Sequence, residues 1–113
     1  MAKKGYGLLI DYEYCTGCYS CEVACKNELK LPHGKWGIKL LEERPWKIND
    51  EKWEWNYIPV PTALCNLCED RVAEGKQPAC VLHCLGQAME YGPVEELAKK
   101  MAEKGTKVAM FVP

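Results

Sequence analysis

The chain has 113 residues, 48% hydrophobic and 27% charged, with 15 basic residues against 16 acidic ones. This composition excludes a wholly disordered chain, and the near-neutral balance excludes nucleic-acid recognition through a strongly basic surface. No apolar run approaches the ~18 residues of a membrane span, and Leu8-Leu9-Ile10 is too short for the roughly 7–15 apolar residues of an export signal.

In chain order, Gly7 to Tyr12 reads as a strand leading into a first cysteine block, Cys15, Cys18, Cys21 and Cys25, spaced C-x2-C-x2-C-x3-C. Cys18, Cys21 and Cys25 fall at i, i+3 and i+7, one face of a helix. Residues 26–64 read as an insertion carrying all four tryptophans. Trp36 to Leu41 reads as a strand, and Pro45 and Asn49-Asp50 mark turns. Trp53 to Val60 reads as a second strand with Trp53, Trp55 and Tyr57 on one face, so a β-hairpin is expected.

The second block, Cys65, Cys68, Cys80 and Cys84, is spaced C-x2-C-x11-C-x3-C. Glu69 to Glu74 reads as a short polar helix stopped by Gly75, and Cys80 and Cys84, at i and i+4, fit one further helical turn. Both blocks open C-x2-C and close C-x3-C, which points to an internal duplication and a pseudo-two-fold arrangement. Residues 92–113 form a C-terminal extension. Pro93 is expected at the first helical position, Val94, Leu97, Ala98 and Met101 make one apolar stripe, Gly105 stops the helix, and Thr106 to Val112 reads as a final strand.

Eight cysteines in a chain without an export signal imply a reducing, cytoplasmic location and metal or redox chemistry rather than a disulfide framework. With one Phe and nine Gly the core is modest, so bound metal is expected to supply part of the folding energy. The first block has the spacing of bacterial ferredoxins. Two-residue gaps wrap the backbone around one cubane and aim its N–H groups at the sulfurs; the fourth cysteine, a helical turn further on, points away and ligates the other cluster. On that rule Cys15, Cys18, Cys21 and Cys84 hold one [4Fe–4S] cluster, and Cys65, Cys68, Cys80 and Cys25 hold a second. The rival reading is structural zinc on two four-thiolate sites, although zinc ribbons place two cysteine pairs on each ion.

The run Tyr14 to Lys26 and the segments Cys65 to Cys68 and Gly75 to Cys84 resemble the ferredoxin-type iron–sulfur subunits that accompany molybdopterin oxidoreductases of the dimethyl-sulfoxide-reductase type. The resemblance covers most of residues 6–91. A typical subunit of that family has four cysteine groups and four clusters; this chain carries what look like the first and the last, a minimal two-cluster version. The proline that commonly follows the fourth cysteine is replaced by Lys26 and Leu85. The resemblance implies a larger catalytic partner subunit, a molybdopterin, tungsten or flavin enzyme, and leaves room for a further redox carrier.

Other residues read more plainly. Trp53, Trp55 and Tyr57 are either a partner contact or the covered face of the hairpin. His83 is a surface or capping histidine rather than a donor to a cluster sulfur, and His33 is a loop residue. Val94, Leu97 and Met101 form a core stripe, and Asp11 and Glu13 face solvent. No nucleophile–base pair, phosphate-binding loop or carboxylate constellation is present, so the chain itself is not expected to be catalytic. The expected fold is α+β: one domain over residues 1–113, with a two-cluster bacterial-ferredoxin-like core, an inserted β-hairpin and a C-terminal helix–strand extension. The expected function is electron transfer as a subunit of an oxidoreductase complex, with a free diffusible ferredoxin and a zinc-stabilised interaction module as alternatives. Neither nucleic acid nor a direct membrane span is expected.

Overall fold

The computed structural model describes residues 5–113. Its frame is a three-stranded antiparallel sheet built on β1 (Tyr6–Asp11), which lies between β4 (Met89–Pro93) and β5 (Val108–Phe111). Leu8 stands opposite Tyr91 and Phe111, and Ile10 opposite Met89 and Ala109. A central strand with both faces covered needs apolar residues at every position, and Leu8, Leu9 and Ile10 are all at most 1% exposed. Strand alternation sends Leu8 and Ile10 into a core shared with Cys21, Cys25, Leu67, Cys80 and Met89. Leu9 and Asp11 point to the other face, which α4 (Val94–Lys104) covers through buried Leu97.

The cysteine-bearing side is built from α1 (Ser20–Leu29), packed against α3 (Ala79–His83), and from the short α2 (Glu69–Ala73). Between α1 and α2 the chain makes the hairpin β2 (Ile38–Lys47) and β3 (Trp53–Pro61), a two-stranded ribbon with register from Ile38 opposite Pro61 to Lys47 opposite Trp53. Its base is closed by Thr62, whose N–H donates to the Gly37 carbonyl at 2.8 Å and whose hydroxyl donates to the Trp36 carbonyl at 2.6 Å. Side-chain ties to the body include the Leu40 N–H donating to Glu22 Oε2 at 2.9 Å and Lys107 Nζ donating to Glu54 Oε1 at 2.8 Å.

The α+β class, the inserted hairpin and the C-terminal helix and strand are observed. Several expectations are corrected. The first helix begins at Ser20, not at Cys18, because Tyr19 adopts a left-handed conformation with φ 63° and turns the chain there. β2 runs through Pro45 to Lys47, since a register irregularity between Glu43 and Trp46 takes Pro45 out of the ladder, where its missing N–H does no harm. β4 was not anticipated, and Pro93 closes that strand and caps α4 instead of opening the helix. The strands leading into the two cysteine blocks enter different sheets, so the duplicated spacing is not matched by duplicated strand pairing. Asp11 is buried, not solvent-facing, at 6% exposure. Among the described residues no helix is long and apolar enough to cross a membrane.

Candidate metal centre

The eight cysteines are all free thiols and gather at one side of the sheet in two electrostatically linked groups. Cys15 feels Cys84 and Cys18, and Cys21 feels Cys15, Cys84 and Cys18. These four also line one cavity, together with Leu40 and Pro59 of the hairpin. Cys25 feels Cys68 and Cys65, and Cys80 feels Cys68, Cys25 and Cys65 ahead of a lesser influence from Cys21. Each group therefore draws thiols from both sequence blocks. α1 explains how: Cys21 in its first turn and Cys25 in its second are both buried, one beside each group.

Backbone N–H groups converge on the sulfurs. Gly17 donates to Cys15, Ser20 and Leu85 to Cys18, Glu22 to Cys21, Leu67 to Cys65 and Ala79 to Cys68. Cys25 receives the amides of Ile38 and Gly37 at the start of β2, and Cys84 receives the Ala88 N–H at 3.2 Å. Such convergence needs backbone conformations that ordinary residues avoid. Gly17 has φ 77°, and Leu67 and Cys68 are consecutive left-handed residues at 56° and 51°. Successive amides turned in this way make a concavity for negative charge, a device common at iron–sulfur sites.

Burial pushes the Cys21 thiol up to about 12 and Cys25 to about 11, and drives Cys80 well above its ordinary value. Burial likewise raises Cys15, Cys65 and Cys68. Cys18 moves the other way, because the Ser20 side chain and amide stabilise its thiolate at an exposed position. Without a cationic group these buried thiols keep their protons. A bound metal group must displace them, so loading becomes more favourable as pH rises. The donor set fits iron–sulfur clusters: only soft sulfur donors, grouped in fours, with amide N–H groups to offset their charge. Structural zinc, by contrast, is held by two cysteine pairs in a ribbon, whereas each group here mixes single cysteines from both blocks.

The surroundings of the two groups differ. Cys25, Cys68 and Cys80 are at most 7% exposed. Cys18 instead opens into a groove of about 500 Å³ along α1, bordered by exposed Tyr19, Val23 and Leu85. Its charged lining residues, Glu28 and Arg71, lie within 3.8 Å of each other. His83 lines this groove as an exposed residue, and His33 sits in an exposed turn, as expected for both. Residues that sequence reasoning missed are Gly37, which brings β2 against Cys25, and Glu22, which fastens β2 to α1. An isolated glycine opening a strand signals close backbone approach and would have pointed to the first.

A cysteine-rich α+β chain with amide-lined thiol groups has the donor set of an iron–sulfur protein, and several known proteins are similar to it in sequence. A polysulfide reductase chain of Wolinella succinogenes is 25% identical over 182 residues, covering 99% of this chain and 95% of that protein. An anaerobic dimethyl sulfoxide reductase chain of Escherichia coli is 34% identical over 101 residues, covering 88% of this chain and 38% of that protein. A selenate reductase subunit of Mesobacillus selenatarsenatis is 31% identical over 111 residues, covering 83% and 36%. The chain thus spans little more than a third of the last two relatives. No family model matches it. These relatives are named as B chains or subunits of reductases, in keeping with the family that the cysteine blocks resemble.

Proposed function

We propose that Cys15, Cys18, Cys21 and Cys84 hold one [4Fe–4S] cluster and Cys25, Cys65, Cys68 and Cys80 a second. Residues 1–113 then act as one ferredoxin-like domain relaying single electrons between a catalytic subunit and an external donor or acceptor. The observation that carries this reading is that each thiol group takes members from both blocks and receives backbone amides at its sulfurs. The clusters supply reversible one-electron chemistry. The chain's own residues position the sulfurs, exclude water around Cys25, Cys68 and Cys80, and leave Cys18 as the open edge. The thiol-rich composition supports a reducing, cytoplasmic compartment.

The groove at Cys18 favours a docked subunit over a diffusible ferredoxin. A transient electron carrier finds partners through charge, whereas this edge is bordered by Tyr19, Val23 and Leu85, and its acid and base face each other. The relatives are named as B chains or subunits of reductases, which supports a catalytic reductase subunit as the partner, and the resemblance of the cysteine blocks points to a molybdopterin enzyme.

Anaerobically prepared protein is expected to carry about eight iron and eight sulfide per chain. Cys25→Ala should damage the cluster of Cys65, Cys68 and Cys80 and spare the other, as read by iron content and EPR of the reduced protein. Two zinc ions without sulfide would overturn the cluster reading. A structure with Cys15 and Cys25 on one cubane would overturn the pairing.

A further inference from the structure

Asp11 is the anomaly of the core. Its Oδ2 accepts a hydrogen bond from Lys104 Nζ at 3.0 Å, while Oδ1 is shut away from solvent with no hydrogen-bond partner. A buried carboxylate oxygen left unpaired costs free energy, so its presence calls for a physical reason.

The backbone of Asp11 ties together the two segments that carry Cys15 and Cys84. Its N–H donates to the Ala88 carbonyl at 2.7 Å, and its carbonyl accepts from the Tyr14 N–H at 3.1 Å. Ala88 is the residue whose own N–H donates to the Cys84 sulfur. The Asp11 side chain lines a groove of about 680 Å³ that also contains Cys84, Glu90, Lys100 and Lys104. The groove's charges are paired, Lys104 with Asp11 at 3.0 Å and Lys100 with Glu90 at 2.9 Å, but not equally sheltered. The Asp11 side chain is 9% exposed, against 38% for Lys104, 41% for Glu90 and 51% for Lys100. Water screens the three exposed groups far more than the buried carboxylate. The unscreened residue of the field at this end of the sheet is therefore negative.

We propose that Asp11 and Lys104 form a charge pair that sets the potential of the cluster at Cys15, Cys18, Cys21 and Cys84. Asp11 holds it low, and Lys104 limits the effect. The inference rests on the proposed cluster assignment. Reduction adds one negative charge, and a buried anion in the groove that Cys84 also lines opposes that addition. Both residues act through the field and touch no reacting atom, so they are positioning residues rather than catalytic ones.

The test is an EPR-monitored redox titration of the full chain and of Asp11→Asn and Lys104→Met, with iron and sulfide measured first. Asp11→Asn is expected to raise one of the two potentials and Lys104→Met to lower the same one. Each shift should change the reduced-to-oxidised ratio at a fixed ambient potential about threefold to tenfold, tenfold being about 59 mV for one electron. The second potential should move less. Iron-loaded variants with unmoved potentials, or with both moved in one direction, overturn the inference alone. A wild-type chain without iron and sulfide overturns the cluster reading and the inference with it. If Asp11→Asn does not fold, Lys104→Met decides: a lowered potential supports the pair, and an unchanged or raised one refutes it.

Discussion

Glycine 37 shows how finely the thiol sites depend on single atoms. It is buried at the start of β2, and its amide donates to the Cys25 sulfur. A Cβ placed there would run into that sulfur and lie 3.1 Å from the Leu29 side chain. Because the sulfur is fixed by α1 and the amide by the hairpin base, neither can retreat cheaply. Gly37→Ala is expected to destabilise the protein by about 1–3 kcal/mol, the range of an overpacked core, and to lower iron retention at the Cys25 group. Gly34→Ala is the matched control. That glycine has φ 87° but no atom within 4 Å of the added carbon, so conformational strain of about 1–2 kcal/mol is expected with iron content unchanged. Thermal unfolding and metal analysis of the two variants check this. Equal iron loss in both would remove the special role of close approach at Gly37. Gly17 makes a related case at the other group, since a Cβ there would meet the Tyr57 ring at 2.8 Å. The hairpin thus presses on both thiol groups, through Gly37 on one and Tyr57 on the other.

At the scale of elements, one attachment of the hairpin, the one through Lys107, is electrostatic and therefore pH-dependent. Lys107 Nζ donates to Glu54 Oε1 at 2.8 Å and to Asn56 Oδ1 at 3.2 Å. The bond to Lys107 holds Glu54 below its ordinary 4.5, and the bond to Glu54 holds Lys107 above its ordinary 10.5. A depressed carboxyl contributes stability above its ordinary value and loses it as pH falls through the lowered one. A raised ammonium contributes below its ordinary value and loses it as pH rises through the raised one. The hairpin is therefore held most firmly between about pH 5 and 10, and Lys107→Met should flatten both limbs. Hydrogen exchange of the Trp53–Pro61 amides is the measurement. A few-fold faster exchange at neutral pH is expected, since an ion pair this open to water is weak. The same rates in variant and parent would show that the Lys107 contacts do not hold the ribbon.

The hairpin was legible in the sequence because period-two aromatics between turn residues are a local signal. Its length was not, because only pairing with β3 shows that Pro45 sits at an irregularity rather than at a turn. β4 is five residues ending in Gly92-Pro93 and exists by pairing with β1, over eighty positions back, so nothing local announces it. Asp11 is the extreme case: the lysine that accompanies its burial stands 93 positions away. The cysteine groups lie between these limits. Their spacing pointed to a crossed arrangement, while the amides of Gly37 and Ile38 at Cys25 come from a segment that spacing does not describe.

The whole molecule measures 50 × 35 × 22 Å, and its exposed apolar surface is unevenly placed. One patch flanks the open Cys18 edge, with Tyr19 44%, Val23 55% and Leu85 77% exposed; another lies on one face of the hairpin, with Trp53 58% and Trp55 55% exposed. Large aromatics at such exposure are what buried interface anchors look like before the partner is added. Charge pulls in the other direction. The formal net charge of −1 counts neutral thiols. Eight ligating thiolates and two oxidised clusters would bring the loaded chain to about −5, and reduction of both to about −7. A free carrier of that charge would be steered to a basic partner face, and its electron-transfer rate would fall steeply as added salt shortens the Debye length to about 8 Å. A subunit docked through the apolar edge at Cys18 would lose little, because that contact contains no unpaired charge to screen. The expected outcome is therefore co-purification with a larger catalytic chain and electron transfer nearly independent of ionic strength between low and physiological salt. Leu85→Glu should weaken that association by about 1 kcal/mol or more, by placing an unpaired charge at the contact, while leaving iron content unchanged. Strong salt dependence in a monomer that serves unrelated reductases equally well would assign the chain to the diffusible ferredoxins instead.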